Sequence, residues 1–234
     1  MKSALNARLL SAAEFTRQNA TFADIGTDHA YLPLFLLEAG RIDYAYCCDI
    51  NEGPLNSARA NASECGWTDK IDFILTDGAT FLQGKGITDY AICGMGGELI
   101  ADIIDRAPHL MDGNVNLILQ PMTRQEKLRT YLASHGFRIH SESYSFDAGK
   151  YYVCILASYD GKCREISAFE SIVGDPDAIF VGKDNRIKYL TSKLRSHERA
   201  YEGKREAGSI DTEDGLLIER LRAFINELSE RENI

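Results

Sequence analysis

Asp24-Ile25-Gly26-Thr27-Asp28-His29-Ala30-Tyr31-Leu32-Pro33 is the stretch on which the fold turns. It follows the apolar run Thr21-Phe22-Ala23, so a short buried strand ends on an acid and a glycine. AYLPLFLLEAG then reads as a helix, because Pro33 is tolerated only in a first turn and Gly40 supplies a stop. The same succession of strand, turn and helix recurs downstream. YAYCCDI from Tyr44 is followed by GPLNSARANASECG with Gly66 as its stop, and IDFILTDG from Ile71 comes next. DYAICGMGG from Asp89 leads into ELIADIIDRA, and VNLILQP from Val115 leads into TRQEKLRTYLASHG. These strand runs are apolar throughout rather than alternating, as parallel strands covered on both faces are. FRIHSESYSF and KYYVCILASY, separated by Asp147-Ala148-Gly149, read as a closing antiparallel hairpin. Five strand–helix units and one hairpin predict an α/β protein with a doubly wound sheet of seven strands. An amphipathic helix carrying Leu5, Leu9, Ala12 and Ala13 precedes them.

The 234 residues suffice for one full-sized α/β domain and a small appendage, and 44% hydrophobic residues can build a substantial core. The texture changes after Tyr159. DGKCRE is polar, and from Ile166 onward the signals are helical only, with breaks at 174–176 and 203–214. Residues 183–205 hold eight basic side chains against three acidic ones, a local +5 in a chain whose total is −9, which leaves −14 elsewhere. Residues 213–230 form a second amphipathic helix (Leu216, Leu217, Leu221, Phe224, Leu228) able to pack back on the basic one. The expected division is therefore residues 1–160 and a helical, coiled-coil-like appendage over 161–234.

The acidic balance argues against coating nucleic acid or anionic membrane by bulk charge, while leaving room for a local basic face. MKSALNARLL lacks the apolar core of a signal peptide, and no run approaches 18 uncharged apolar residues. Cys47, Cys48, Cys65, Cys93, Cys154 and Cys163 include no C-x-x-C pair and are expected as buried reduced thiols, consistent with a cytoplasmic protein. His29, His109, His135, His140 and His197 form no metal pattern, so no metal is expected, and no hydrolase constellation is legible. The protein is expected to be a monomer.

The chemistry should sit at the carboxyl ends of the strands, where doubly wound sheets bind ligands. A dinucleotide turn wants glycines at the positions here held by Asp28 and Tyr31, and a carboxylate at 28 repels phosphates. S-adenosylmethionine (SAM) has no phosphate and presents a sulfonium and an ammonium, which Asp24 and Asp28 can neutralise or accept hydrogen bonds from. Asp28-His29 also reads as an N-cap pair for the following helix. Asp49, ending the second strand 23 positions after Gly26, has the spacing of an acid that binds ribose hydroxyls, or else opens the next helix. Asp77-Gly78 ends the third strand where an adenine would lie, and is equally a common turn dipeptide. Gly94-Met95-Gly96-Gly97 lets backbone approach the same crevice, or simply makes a tight turn. Leu119-Gln120-Pro121 should wall it. The candidate cofactor residues are thus Asp24, Gly26, Asp28, His29, Asp49, Ile50, Asp77, Gly78, Gly94 and Met95.

ADIGTDHAYLP at 23–33 with Arg8-Leu9 upstream, ICGMGGELI at 92–100 and LILQP at 117–121 together resemble the bacterial tRNA (adenine-N1)-methyltransferases that modify position twenty-two. The resemblance spans roughly residues 5–160, and the helical tail suits that family's small C-terminal domain. Two positions depart from the pattern: Asp49 stands where Glu is commoner, and Met122 follows Gln120-Pro121 where Asn is expected. The resemblance implies a Rossmann-like class-I methyltransferase fold, SAM as methyl donor and tRNA as substrate. The chemistry it implies gives Asp28, or a neighbouring carboxylate, the role of stabilising charge on adenine, and Tyr31 that of stacking on the base or donating it a hydrogen bond. Lys183, Arg186, Lys188, Lys193, Arg195 and Arg199 of the basic helix are the candidate RNA contacts, against the alternative of a solvated face balanced by the last helix. A methyltransferase acting on another acceptor and a non-catalytic SAM- and RNA-binding module remain the competing readings.

Overall fold

The computed structural model describes residues 5–209 and 212–231. Met1–Ala4 of the amino-terminal stretch, and 210–211 within the second expected break, lie outside the described residues. The order is α1 (Ala7–Phe15), β1 (Ala20–Ile25), α2 (Tyr31–Glu38), β2 (Ile42–Asp49), α3 (Glu52–Cys65), β3 (Ile71–Leu75), β4 (Asp89–Gly96) and α4 (Gly97–Asp105). It continues with β5 (Asn116–Thr123), α5 (Gln125–Ser134), β6 (Phe137–Asp147), β7 (Lys150–Tyr159), α6 (Ala168–Val173), β8 (Ile179–Val181), α7 (Lys183–Glu206) and α8 (Thr212–Arg231).

The sheet runs β3-β2-β1-β4-β5-β7-β6-β8. Only β7 is antiparallel to its neighbours, and the chain reverses its direction of travel across the sheet between β1 and β4. That reversal opens the crevice at the strands' carboxyl ends. The doubly wound fold expected from the sequence is the one observed, with one addition. Among the described residues the sheet has eight strands rather than seven, because Ile179–Val181 pairs with Ser141–Ser143 of β6, inside the region expected to be helical throughout. The break expected at Gly203 is also displaced: α7 runs through that glycine to Glu206.

Side-chain alternation along the buried strands sorts the core into two layers. Phe22, Ala45, Ala91 and Ile118 face α1, α2 and α3, whereas Ala23, Ile25, Tyr90, Ile92, Leu117 and Leu119 face α4 and α5. The second layer continues without interruption through Phe169, Ile172, Tyr189, Leu190, Leu194, Ile218, Leu221 and Ile225, so α6, α7 and α8 share it. The expected β6–β7 hairpin forms with a loop of two residues rather than three, because Asp147 pairs with Lys150; Ala148 at φ 45° and Gly149 at φ 79° are the left-handed pair that matches strand twist. Cys47, Cys48 and Cys154 are buried and Cys93 is partly so. Cys65 and Cys163 correct the expectation, lying on the surface at the end of α3 and in the polar linker, although all six thiols are free.

One ion pair is fully inside. Arg129 on α5 and Glu142 on β6 are 1% and 0% exposed and meet through Nε–Oε1 at 2.7 Å and Nη2–Oε2 at 3.0 Å. Arg129 Nη1 donates to the carbonyl of Ser171 at 2.8 Å, and the Tyr144 hydroxyl donates to Glu142 Oε2 at 2.5 Å. Burial pushes the guanidinium pKa down, and the facing carboxylate more than offsets this and holds it above its ordinary value. Removing one partner strands the other charge. Glu142→Gln and Arg129→Met should each lower stability by about 3–5 kcal/mol in urea unfolding, and the paired replacement Arg129→Met/Glu142→Leu should recover most of that loss.

Candidate active site at the β1–β4 crevice

The site is built from strand ends. Gly26 and Thr27 leave β1 with both backbone N–H groups donating to the Cys48 carbonyl at 2.8 Å, which pins the turn to β2. The chain then passes through His29 (φ 66°) and Ala30 (φ 55°), two successive non-glycine residues in the left-handed region, before α2 begins. Each costs about 1–2 kcal/mol, a strain that concentrates where backbone shape serves a ligand. Asn61 of α3 steadies the loop by donating Nδ2 to the His29 carbonyl at 2.9 Å. Ala30 caps α2 without a side-chain hydrogen bond, so the N-cap alternative for Asp28 falls away. Likewise Asp49 accepts from the Asn51 N–H at 2.7 Å and does not cap α3, whose N-cap Asn51 makes no side-chain bond.

Asp24, Gly26, Asp28, Tyr31, Asp49, Gly94 and Met95 converge on one cleft of about 450 Å³. Five further wall residues, Asn6, Arg8, Leu9, Leu32 and Cys93, escaped the residue-by-residue reading. Asn6, Arg8 and Leu9 come from α1 and its cap, folded over the strand ends, and only the Arg8-Leu9 element of the family resemblance pointed there. Arg8 Nη1 donates to Gln120 Oε1 at 2.6 Å, and the same oxygen accepts the Gly94 N–H at 3.2 Å, so Gln120, fully buried, braces the lining from behind, and Leu119-Gln120-Pro121 is not itself the wall it was expected to be. The two glycine motifs interlock: a Cβ on Gly26 would lie 2.0 Å from Met95 Cε. Gly97 is a glycine for a different reason, since a Cβ there would sit 2.3 Å from the backbone oxygen of Arg124.

His29 lies beside the cleft, stacked on Tyr31 at 5.2 Å and 3.2 Å from Asp28 Oδ1. Ile50 is exposed next to Asp49. Asp77 and Gly78 do not line the cleft: Arg106 pairs with the Asp77 carboxylate at 2.6 Å and holds its pKa below the ordinary value, and a Cβ on Gly78 would meet Ile103 at 3.5 Å. Two of the expected RNA contacts are already engaged within the protein, one of them buried. Arg186 is buried, 3.3 Å from the Phe180 ring centroid, and donates to the Val173 carbonyl, while Lys193 binds Gln125 Oε1 at 2.7 Å and Glu126 Oε1 at 2.6 Å. Lys183, Lys188, Arg195 and Arg199 are exposed.

Three carboxylates face one guanidinium across the cleft, a composition that favours a cation and disfavours phosphate. The family model described as "Methyltransferase domain" matches residues 5–155. The chain belongs to this methyltransferase family. This methyltransferase is 32% identical over 179 residues to the tRNA (adenine(22)-N(1))-methyltransferase of Bacillus subtilis, covering 76% of this chain and 69% of that protein. A Streptococcus agalactiae structure described as a member of the NADB-Rossmann superfamily superimposes with TM-score 0.80 at 31% identity, covering 97% of this chain and 98% of the other. Mycoplasma capricolum TrmK in complex with the cofactor product S-adenosylhomocysteine superimposes with TM-score 0.75 at 28% identity, covering 95% and 98%.

Asp24 gives the methyltransferase cleft a pH signature. Burial raises its pKa from 3.8 to about 6; the Thr27 hydroxyl, donating at 2.5 Å, works against that rise and the Asp49 charge adds to it. Between those values the folded protein keeps a proton that the unfolded chain has released. The stabilisation from this proton is complete below pH ~4 and lost as pH rises through ~6, in total about 3 kcal/mol. Chemical denaturation from pH 4 to 7 should therefore show the wild type losing roughly that much stability relative to Asp24→Asn.

Proposed function

We infer that this chain transfers the methyl group of SAM to N1 of the adenine at position 22 of tRNA, the reaction named for its Bacillus subtilis relative. The observation that carries the reading is the carboxylate-lined cleft at the β1–β4 reversal, in a chain of the methyltransferase family. Its volume of about 450 Å³ lies in the range of small-ligand sites. The donor set fits SAM. Asp24 and Asp49 would hold its cationic and ribose ends, Gly26 and Gly94 allow close backbone approach, and Met95 closes one wall. When bound, SAM supplies an electrophilic methyl group on a sulfonium.

The chain's own residues then have little covalent work to do. N1 of neutral adenine carries a lone pair and no proton, so no general base is required. What the protein must supply is alignment, exclusion of water and compensation for the positive charge that the ring acquires. Asp28 stands at the cleft mouth with its side chain 74% exposed and serves as the compensating anion. Tyr31, already stacked on His29, offers its ring to the base. N1 belongs to the Watson–Crick edge, so the adenine must be unpaired and exposed to reach these groups. Residues 1–160 carry the chemistry and residues 161–234 engage the RNA. The reading carries with it a cytoplasmic site of action, where a tRNA substrate would be met; no helix among the described residues is long and apolar enough to cross a membrane.

Methyl transfer from labelled SAM to unmodified tRNA, with nucleosides identified after digestion, should yield 1-methyladenosine from a transcript with adenine at position 22 and none when guanine replaces it. Asp28→Ala should bind SAM as the wild type does and lose about 100-fold in kcat; a wild-type rate would remove Asp28 from catalysis. SAM affinity should rise as pH increases through ~6, when Asp24 becomes the anion that meets the ligand's charge, and Asp24→Asn should bind weakly with no such rise.

A further inference from the structure

A second groove of about 670 Å³ lies between the loop after β5, the β6–β7 turn and α7. Every charged residue in its lining is basic: Arg124, Lys150, Lys188, Lys193 and Arg195. On a chain of net charge −9 this is a local concentration of one sign. The larger groove along α7 and α8 differs, since there Arg195, Arg199, Arg205 and Arg222 are interleaved with Glu198, Glu202 and Glu219.

The groove is a built feature. Lys188, Thr191, Ser192 and Arg195 follow i, i+3, i+4, i+7 and so present one stripe of α7. Lys193 is the buckle that fastens this stripe to the start of α5, through Gln125 and Glu126. On the opposite bank Arg124 is held in the left-handed region (φ 57°, ψ 38°) with its carbonyl against Gly97, the last glycine of the GMGG turn. Arg124, Lys150, Lys188 and Arg195 are exposed, and no ion pair is formed by any of them among the described residues. Tyr151 contributes an aromatic wall, 4.8 Å from the ring of Phe146, itself 49% exposed. Met122 and Thr123 open the groove at the carboxyl edge of β5, two residues beyond the Gln120 that braces the catalytic cleft.

We propose that this groove is the tRNA backbone track: Arg124, Lys150, Lys188 and Arg195 bind phosphates flanking the target nucleotide, and the Tyr151–Phe146 surface receives a neighbouring unstacked base. The proposal rests on the tRNA reading and replaces a diffuse contact with the whole basic helix by a defined path that ends at the cleft. A positively charged groove with an aromatic wall is how single-stranded segments are tracked without sequence readout. Deleting one phosphate-binding side chain lowers the slope of log affinity against log salt by about 0.7–0.9.

The test compares three proteins for binding to unmodified tRNA across a salt series, for methyl transfer and for SAM affinity. The groove variant is Arg124→Ala/Lys150→Ala/Lys188→Ala, and the control, with the same charge change elsewhere, is Lys70→Ala/Arg138→Ala/Lys162→Ala. The groove variant should keep wild-type SAM affinity, raise KM for tRNA more than tenfold, and lower the salt slope by about 2–3, while the control stays near wild type on all three. Phe146→Ala/Tyr151→Ala should lower kcat/KM at an unchanged slope. A groove variant with the wild-type slope and KM, in a wild type that does methylate tRNA, overturns the groove alone. Equal losses in groove variant and control also overturn it, because they reveal only a bulk-charge effect. A wild type that makes no 1-methyladenosine in tRNA overturns the functional reading, and the salt slopes still decide whether RNA binds in this groove.

Discussion

The buried pair of Arg129 and Glu142 constrains more of this molecule than any other contact. Two charges taken out of water at this depth persist only if every remaining donor and acceptor finds a partner, and the partners come from separate elements: α5, β6 and the carbonyls of α6. The geometry reaches further, into backbone chemistry. Gly174, just after α6 at φ +96°, leaves space in which a Cβ would come within 2.8 Å of Glu142 Oε2. Tyr144 turns its hydroxyl onto the same carboxylate and its ring onto Tyr189 of α7. The pair thus sets where the last third of the chain can lie, and hence where α7 faces the β6–β7 turn.

Much of the sheet could be read in advance because parallel strands covered on both faces are written as apolar runs ending in acid or glycine. Asp24-Ile25-Gly26, Asp49 and Gly94-Met95 mark strand ends by residue type alone, and strand order then carries them to one place. Other features have no local signal. β8 is only three residues long and is a strand because β6 offers it an edge. Asn6, Arg8 and Leu9 reach the cleft through tertiary folding of α1. Charge in a sequence does not distinguish a free surface cation from one already engaged, which is why Arg186, which is buried, and Lys193, which is tied to α5, both read as RNA contacts. His29 and Ala30 adopt left-handed backbone without the glycine that normally announces it.

The molecule separates its charges by the ligand each place must meet. The cleft gathers carboxylates around a cationic methyl donor, and the adjoining groove gathers guanidinium and ammonium groups for a polyanion. The two share the carboxyl edge of β4 and β5, with Gln120 on one side and Arg124 on the other. Overall charge of −9 opposes the approach of nucleic acid at long range, so attraction must act within about one Debye length, ~8 Å in physiological salt.

The continuous apolar layer beneath α4, α5, α7 and α8 has a consequence for how such an enzyme can change over evolutionary time. Tyr189, Leu190, Leu194, Leu221 and Ile225 complete the same interior to which Ile100, Leu128 and Leu132 belong. An accessory module joined by a tether can be lost, duplicated or exchanged by recombination without harm to its neighbour. A module that supplies part of a shared interior cannot, because its removal leaves oily surface on the catalytic part. The carboxyl-terminal helices and the methyl-transfer scaffold are in that sense one heritable unit, and variation is left to side chains on the outer face of α7 rather than to exchange of the segment.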